Sequence, residues 1–158
     1  EMVLAETRCF FSKRSFLAPE NETLGVGVSF TRNPRDGTVH SIDSSLDILS
    51  LRAFRKHKIH TSVNNQQTFS HWLPLYINKD HAPKCLHLLP RSLGIICAGS
   101  HHNFKPDMVL QVLPKLLSGL VLSLTKGEIY VSVKVLEGYS YFYRLFLAAA
   151  RQYPEIKA

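Results

Sequence analysis

Hydrophobic positions alternate with small or polar ones most cleanly at Leu24–Thr31, where Leu24, Val26, Val28 and Phe30 interleave with Gly25, Gly27, Ser29 and Thr31. A period of two with one packed face predicts a β-strand. Asn33-Pro34-Arg35-Asp36-Gly37 follows, with proline preset for a bend and glycine free to take positive φ. Thr38–Ile42 is therefore expected to return as the second strand of a hairpin. Met2–Phe11 offers a weaker strand pattern through Val3, Ala5, Cys9 and Phe11, interrupted by Thr7, and Ser12–Thr23 reads as loop.

After the hairpin the period changes. Asp43 or Ser44 is placed to cap a short helix across Leu46, Leu49, Ala53 and Phe54, closing in the cation-rich turn Arg52–Lys58. Ile59–Thr68 is polar and reads as an exposed loop. Phe69–Ile77 is apolar but contains Pro74, which rules out an uninterrupted helix or a central strand and leaves an edge strand or an extended crossing. Pro83 suits the first turn of a helix carrying Leu86, Leu89, Leu93 and Ile96, with Pro90 inside it.

The last third is the most helical. Pro106 and Asp107 open a segment whose apolar face runs from Val109 through Leu113, Leu116 and Leu120 to Leu124, and Gly127 stands where a left-handed cap is wanted. Pro114 falls inside that pattern, so a kink or a break is expected there. Over Glu128–Tyr153, a polar stripe (Tyr130, Lys134, Glu137, Tyr141, Arg144, Ala148, Arg151) lies between two apolar flanks. One flank is Ile129, Val133, Leu136, Tyr143 and Leu147; the other is Val135, Tyr139, Phe142, Phe146 and Ala150. An apolar arc that wide predicts a helix packed on most of its circumference. The expected fold is α+β: a small antiparallel N-terminal β-sheet against a C-terminal helical bundle with proline-kinked helices. A chain of 158 residues predicts one domain, with a β-rich part over about 1–42, a mixed part over 43–103 and a helical hairpin over 104–153.

Charge sharpens this picture. The formal net charge is +7, and all of the excess falls in the middle third. There, Arg52, Arg55, Lys56, Lys58, Lys79, Lys84, Arg91 and Lys105 face Asp80 alone, and every histidine but His40 lies in the same stretch. Such segregation predicts a surface suited to acidic partners. Arg52, Arg55, Lys56 and Lys58 are the expected docking cations. Trp72 and Tyr76 are either core residues or apolar anchors for a partner. Phosphate-backbone binding to RNA or DNA through the same aromatic-containing surface is the alternative, although no RNA-recognition strand signature, Gly-x-x-Gly clamp or helix–turn–helix spacing accompanies it.

Chemistry is harder to find. Cys85, His87, Cys97 and His101 are weak candidate zinc ligands, separated by the apolar run Leu88–Cys97 rather than paired on tight knuckles. A cysteine nucleophile would be Cys85 with His71 or His81 and Asp80, or Cys97 with His101. Gly25-x-Gly27 lacks the third glycine and the Lys-Ser/Thr pair of a phosphate loop. No cofactor is expected. Three scattered cysteines point to an intracellular setting, cytoplasmic or nuclear. No charged-then-apolar leader opens the sequence, so no secretory signal is expected. Nor is a membrane span, because Lys115, Ser118, Ser123 and Lys126 interrupt the longest apolar segment. The function expected is non-catalytic, docking an acidic protein segment as part of a larger protein.

Overall fold

The computed structural model describes residues 7–9, 23–56, 58–61, 68–126 and 129–157, excepting the side chains of 7–9, 46–47, 126, 129–134 and 157. Four strands, β1 (Thr7–Cys9), β2 (Leu24–Arg32), β3 (Val39–Ser50) and β4 (His71–Pro74), form one antiparallel sheet in the order β1-β3-β2-β4. A short helix α1 (Leu51–Arg55) follows β3, and three long helices close the chain: α2 (Ala82–Ala98), α3 (Asp107–Lys126) and α4 (Ile129–Gln152). A 3-10 turn, Pro154–Lys157, ends the described chain. The fold is α+β, with the sheet on the N-terminal side and the helices on the C-terminal side.

The alternation along β2 does two jobs. Leu24, Val26 and Val28 point into the main core, where Val26 and Val28 are fully buried. The intervening glycines leave room on the opposite face: a Cβ at Gly25 would meet the Trp72 ring at 2.6 Å, and one at Gly27 would collide with the Phe69 ring. Trp72 and Phe69 thus lie flat over backbone that carries no side chain, and with Leu49 and Ala53 they make a second, smaller core. The turn after β2 forms as expected, with Gly37 at φ 75 and its N–H donating to Asn33 C=O at 2.8 Å.

The returning strand departs from expectation. It runs to Ser50, so Asp43–Ser50 is strand rather than the opening of a helix. β2 pairs along one side of this segment, and β1 pairs with Asp47–Leu49 on the other. A register shift accommodates it: Val26 pairs with Ile48 but Val28 pairs with Ser44, so β3 bulges between those pairs. The bulge breaks the two-residue period and lets Leu46, Leu49 and Ala53 fall at helix-like spacing. Only α1 is helical, and its cap is Ser50, whose hydroxyl accepts the Ala53 N–H at 3.0 Å. Thr7, read as an interruption, sits within β1 and pairs with Leu49. The expected loop over Ser12–Thr23 lies outside the described residues except for Thr23.

β4 is an edge strand, with Pro74 as its last residue. α2 packs on β4 and on α3, while α3 packs on β3 and α4. Pro83 stands in the first turn of α2, as expected. Pro90 and Pro114 each lie inside a continuous helix, so neither breaks it. α2 ends on Gly99 at φ 72, whose N–H donates to Ile95 C=O at 3.0 Å while Ser100 N–H donates to Gly94 C=O at 3.3 Å. The Arg32 guanidinium reaches across from the hairpin and donates to the Ile96 carbonyl at 2.6 Å and the Cys97 carbonyl at 3.0 Å. A cation at the negative end of the dipole ties β2 to α2.

α3 and α4 bury less than their composition suggested. By length and composition, Asp107–Thr125 is apolar enough to cross a membrane, yet only 33% of that window is buried. Its inner face, Val109, Val112, Leu113 and Leu116, joins the main core, and the Lys115 ammonium donates to the Val39 carbonyl on β3. On α4 one stripe is buried: Val135, Tyr141, Phe142, Leu145 and Ala149. Tyr141, placed on the polar stripe by its spacing, is 4% exposed, while Leu136 is 56% exposed and Tyr143 and Leu147 also face outward. Among the described side chains, the flank Val135, Tyr139, Phe142, Phe146 and Ala150 is buried or half-buried as expected, while Leu136, Tyr143 and Leu147 of the other flank are exposed. Gly127 lies outside the described residues.

Candidate basic docking surfaces

The strand β4 and its continuation separate two basic surfaces. At the β4 start, α1 and the residues after it present Arg52, Arg55, Lys56 and Lys58, all exposed. Lys58 adopts φ 51, a left-handed conformation unusual for a residue with a side chain. A notch of about 80 Å³ opens beside α1, lined by Leu51, Phe54, Arg55, His71, Trp72, Ser92 and Ile95. The Phe54 ring stacks toward Phe69 at 6.2 Å and meets the His60 ring edge-on at 4.9 Å. An apolar hollow with a guanidinium at its lip suits an apolar side chain flanked by a carboxylate.

The electrostatics extend this surface past α1. His101 is held below its ordinary pKa by desolvation and then by the charges of His102, Arg91 and Arg55. Arg55 and Arg91 are separated in sequence, and the fold brings them within range of the same imidazole. His71 in the notch is likewise lowered, by burial and then by Arg32. Among the described residues no carboxylate lines the notch.

The second surface lies past the other end of β4. A groove of about 490 Å³ is lined by Tyr76, Asn78 and Lys79 on one side and by Arg144, Leu147, Ala148 and Arg151 of α4 on the other. Of the middle-third cations, Arg55 lines the notch and Lys79 lines the groove. Lys79 joins two arginines from the C-terminal helix there.

The two aromatic residues behave differently. Trp72 is 5% exposed and its indole N–H donates to the Leu49 carbonyl at 3.0 Å, so it is a core residue that forms the floor of the notch and not a protruding anchor. Tyr76 is half-buried and forms part of the groove wall.

The thiols and histidines do not assemble into a centre. Among the described residues no group of three His, Cys, Asp or Glu side chains is arranged to hold a metal. Cys85 is buried while His87, two residues on and so on the opposite side of α2, is exposed. Cys97 is half-buried and His101 exposed. Burial pushes the Cys85 thiol up to about 12 and the Cys97 thiol up to about 11, which leaves both protonated and unreactive near neutrality. His81 is engaged structurally: its Nε2 accepts the Leu24 N–H at 2.7 Å, which leaves the proton on a buried Nδ1 that has no hydrogen-bond partner. Burial, with the Lys84 charge adding and the Leu75 backbone opposing, lowers its pKa to about 4. Such a histidine is a poor base for Cys85.

Sequence reasoning missed the groove altogether, because Lys79 and the two α4 arginines carry no joint local signal. Comparison with protein-family models, with curated proteins and with solved structures finds no match for this chain.

Proposed function

We propose that this domain is a non-catalytic interaction module, docking an acidic protein segment on the α1 surface. The observation that supports it most is the pairing of the exposed cations Arg52, Arg55, Lys56 and Lys58 with a carboxylate-free notch that has Arg55 at its lip. A segment with one apolar side chain in the notch and acidic residues over Arg55, Lys56 and Lys58 meets both halves of that surface. Phe54 and Ile95 supply the apolar contact. Trp72 contributes as the rigid floor. Tyr76 belongs to the other surface and drops out of this reading. The partner is an acidic segment of another protein, met in a reducing cell interior.

Nucleic-acid binding through the same cations is the second reading, supported by Arg55 and Arg91 both lying in range of His101. Salt separates the two. A phosphate-backbone complex loses affinity steeply and linearly in log salt, with a slope near −0.9 per phosphate contacted on duplex DNA. A docked peptide anchored by an apolar side chain keeps a salt-resistant part. Titration of a Glu-rich peptide containing one leucine and of duplex DNA or single-stranded RNA, at stepped salt, decides. Binding of the peptide that persists at moderate salt supports docking. Binding of nucleic acid alone, collapsing with salt, overturns it.

A further inference from the structure

The groove past the far end of β4 has features the α1 surface lacks. Arg144 and Arg151 stand seven residues apart on α4, so they share a face and are about 10 Å apart along the axis. Leu147 and the small side chain of Ala148 fall between them and form the floor. Lys79 reaches the same space from the opposite wall, with Tyr76 and Asn78 beside it. Three positive charges converge on one concavity with no carboxylate in its lining, and no ion pair ties any of the three to a described carboxylate. Asp80, next in sequence to Lys79, is exposed and does not line the groove.

Like charges brought to one hollow repel one another, and an anion carrying more than one charge offsets that repulsion better than a single carboxylate. A single carboxylate would neutralise one of the three. Two guanidinium forks, each able to donate two parallel hydrogen bonds, match phosphoryl oxygens, and an ammonium adds a point charge between them. At about 490 Å³ the hollow exceeds what one phosphate fills and falls in the range of small-molecule sites. The separation of the arginines suits two phosphoryl groups, with the body that carries them lying against Tyr76 and Leu147.

We infer that the groove formed by Tyr76, Asn78, Lys79, Arg144, Leu147 and Arg151 is a binding site for a small molecule bearing two or more phosphoryl groups. Arg144 and Arg151 grip the phosphoryl oxygens, Lys79 neutralises the charge between them, and the Asn78 amide donates to an ester or hydroxyl oxygen. The site is distinct from the α1 surface and stands or falls without the docking reading.

Calorimetric titration with pyrophosphate at near-physiological salt tests it on the intact domain. One pyrophosphate is expected per chain, with Arg144→Gln and Arg151→Gln each weakening binding by about tenfold, the usual worth of a charge-assisted contact. Arg144→Lys is expected to weaken it by less than Arg144→Gln, because charge is kept while the fork is lost. Both arginines are exposed, so the variants should melt as the parent does without ligand. Arg55→Gln with Lys56→Gln is expected to change nothing. Phosphatidylcholine vesicles with and without a bisphosphorylated phosphoinositide separate the sources. Pyrophosphate binding together with selective capture of the charged vesicles identifies a lipid headgroup, and pyrophosphate binding without vesicle capture identifies a soluble ligand. The inference is overturned by an absence of pyrophosphate binding, by binding that survives both glutamine variants, by equal losses in the α1 variant, or by a Glu-rich peptide that binds the groove as tightly.

Discussion

The two ends of β4 carry comparable charge in unlike settings. At one end, the cations come from a single short stretch and stand out on α1 around a small apolar notch. At the other end, Lys79 meets arginines more than sixty residues away in sequence, inside a hollow. The first arrangement lets a chain lie across the surface with one side chain inserted. The second offers a compact anion charges from two walls. A charge excess counted along the sequence therefore contributes to concavities of different lining, Arg55 to one and Lys79 to the other.

Three substitutions or titrations would break or sharpen that contrast. The largest effect is expected from Trp72→Ala, which removes the floor of the α1 notch and the cover over Gly25. Loss of a buried tryptophan should cost about 3–5 kcal/mol in denaturant unfolding. A loss below about 1 kcal/mol would mean the indole is a surface anchor after all. At the groove end, His81 holds the first residue of β2 as a neutral acceptor. Its folded pKa, about 4, is below that of an unfolded histidine, about 6.5. The unfolded chain therefore binds the extra proton between those values. The stabilisation is full above pH 6.5 and is lost as pH falls toward 4, by at most about 3 kcal/mol. Unfolding measured across that window should slope downward in the parent and less steeply in His81→Gln; parallel slopes would remove the assignment. The smallest effect is expected from Leu136→Ala. At 56% exposed on the outer side of α4, Leu136 should contribute less than about 1 kcal/mol, and a cost near 3 kcal/mol would place that face against something.

Much of this was written locally and some of it was not. The β2 alternation, the Asn33–Gly37 turn and the helix start at Pro83 each depend on neighbours within a few residues and formed as read, and the Pro74 segment took the edge-strand form of its two readings. The length of β3 did not form as read, because a bulge opposite β2 disguised a strand as a helix. On α4 both apolar flanks were expected to pack, but Leu136 faces outward and Tyr141, expected on the polar stripe, is buried. Which flank of a helix packs is settled only when its neighbour is known. The α1 cations were legible as a run, and the burial of Trp72 was legible as one of two outcomes. The groove was invisible, since half of it belongs to a segment read only for its apolar stripes. Pro90 and Pro114 sit in helices that continue through them, so a break is excluded at both.

Docking on the α1 surface requires that it receive an acidic segment. Its most direct test is a backbone amide NMR titration with a Glu-rich peptide containing one leucine, run on the parent and on Arg52→Ser/Arg55→Ser/Lys56→Ser. The parent should show shifts concentrated at Phe54, Arg55, His71 and Ile95, with the triple variant folded but about tenfold weaker, as loss of exposed contacts near one apolar anchor would give. Shifts confined to Lys79, Arg144 and Arg151, or an undiminished response in the triple variant, would contradict it.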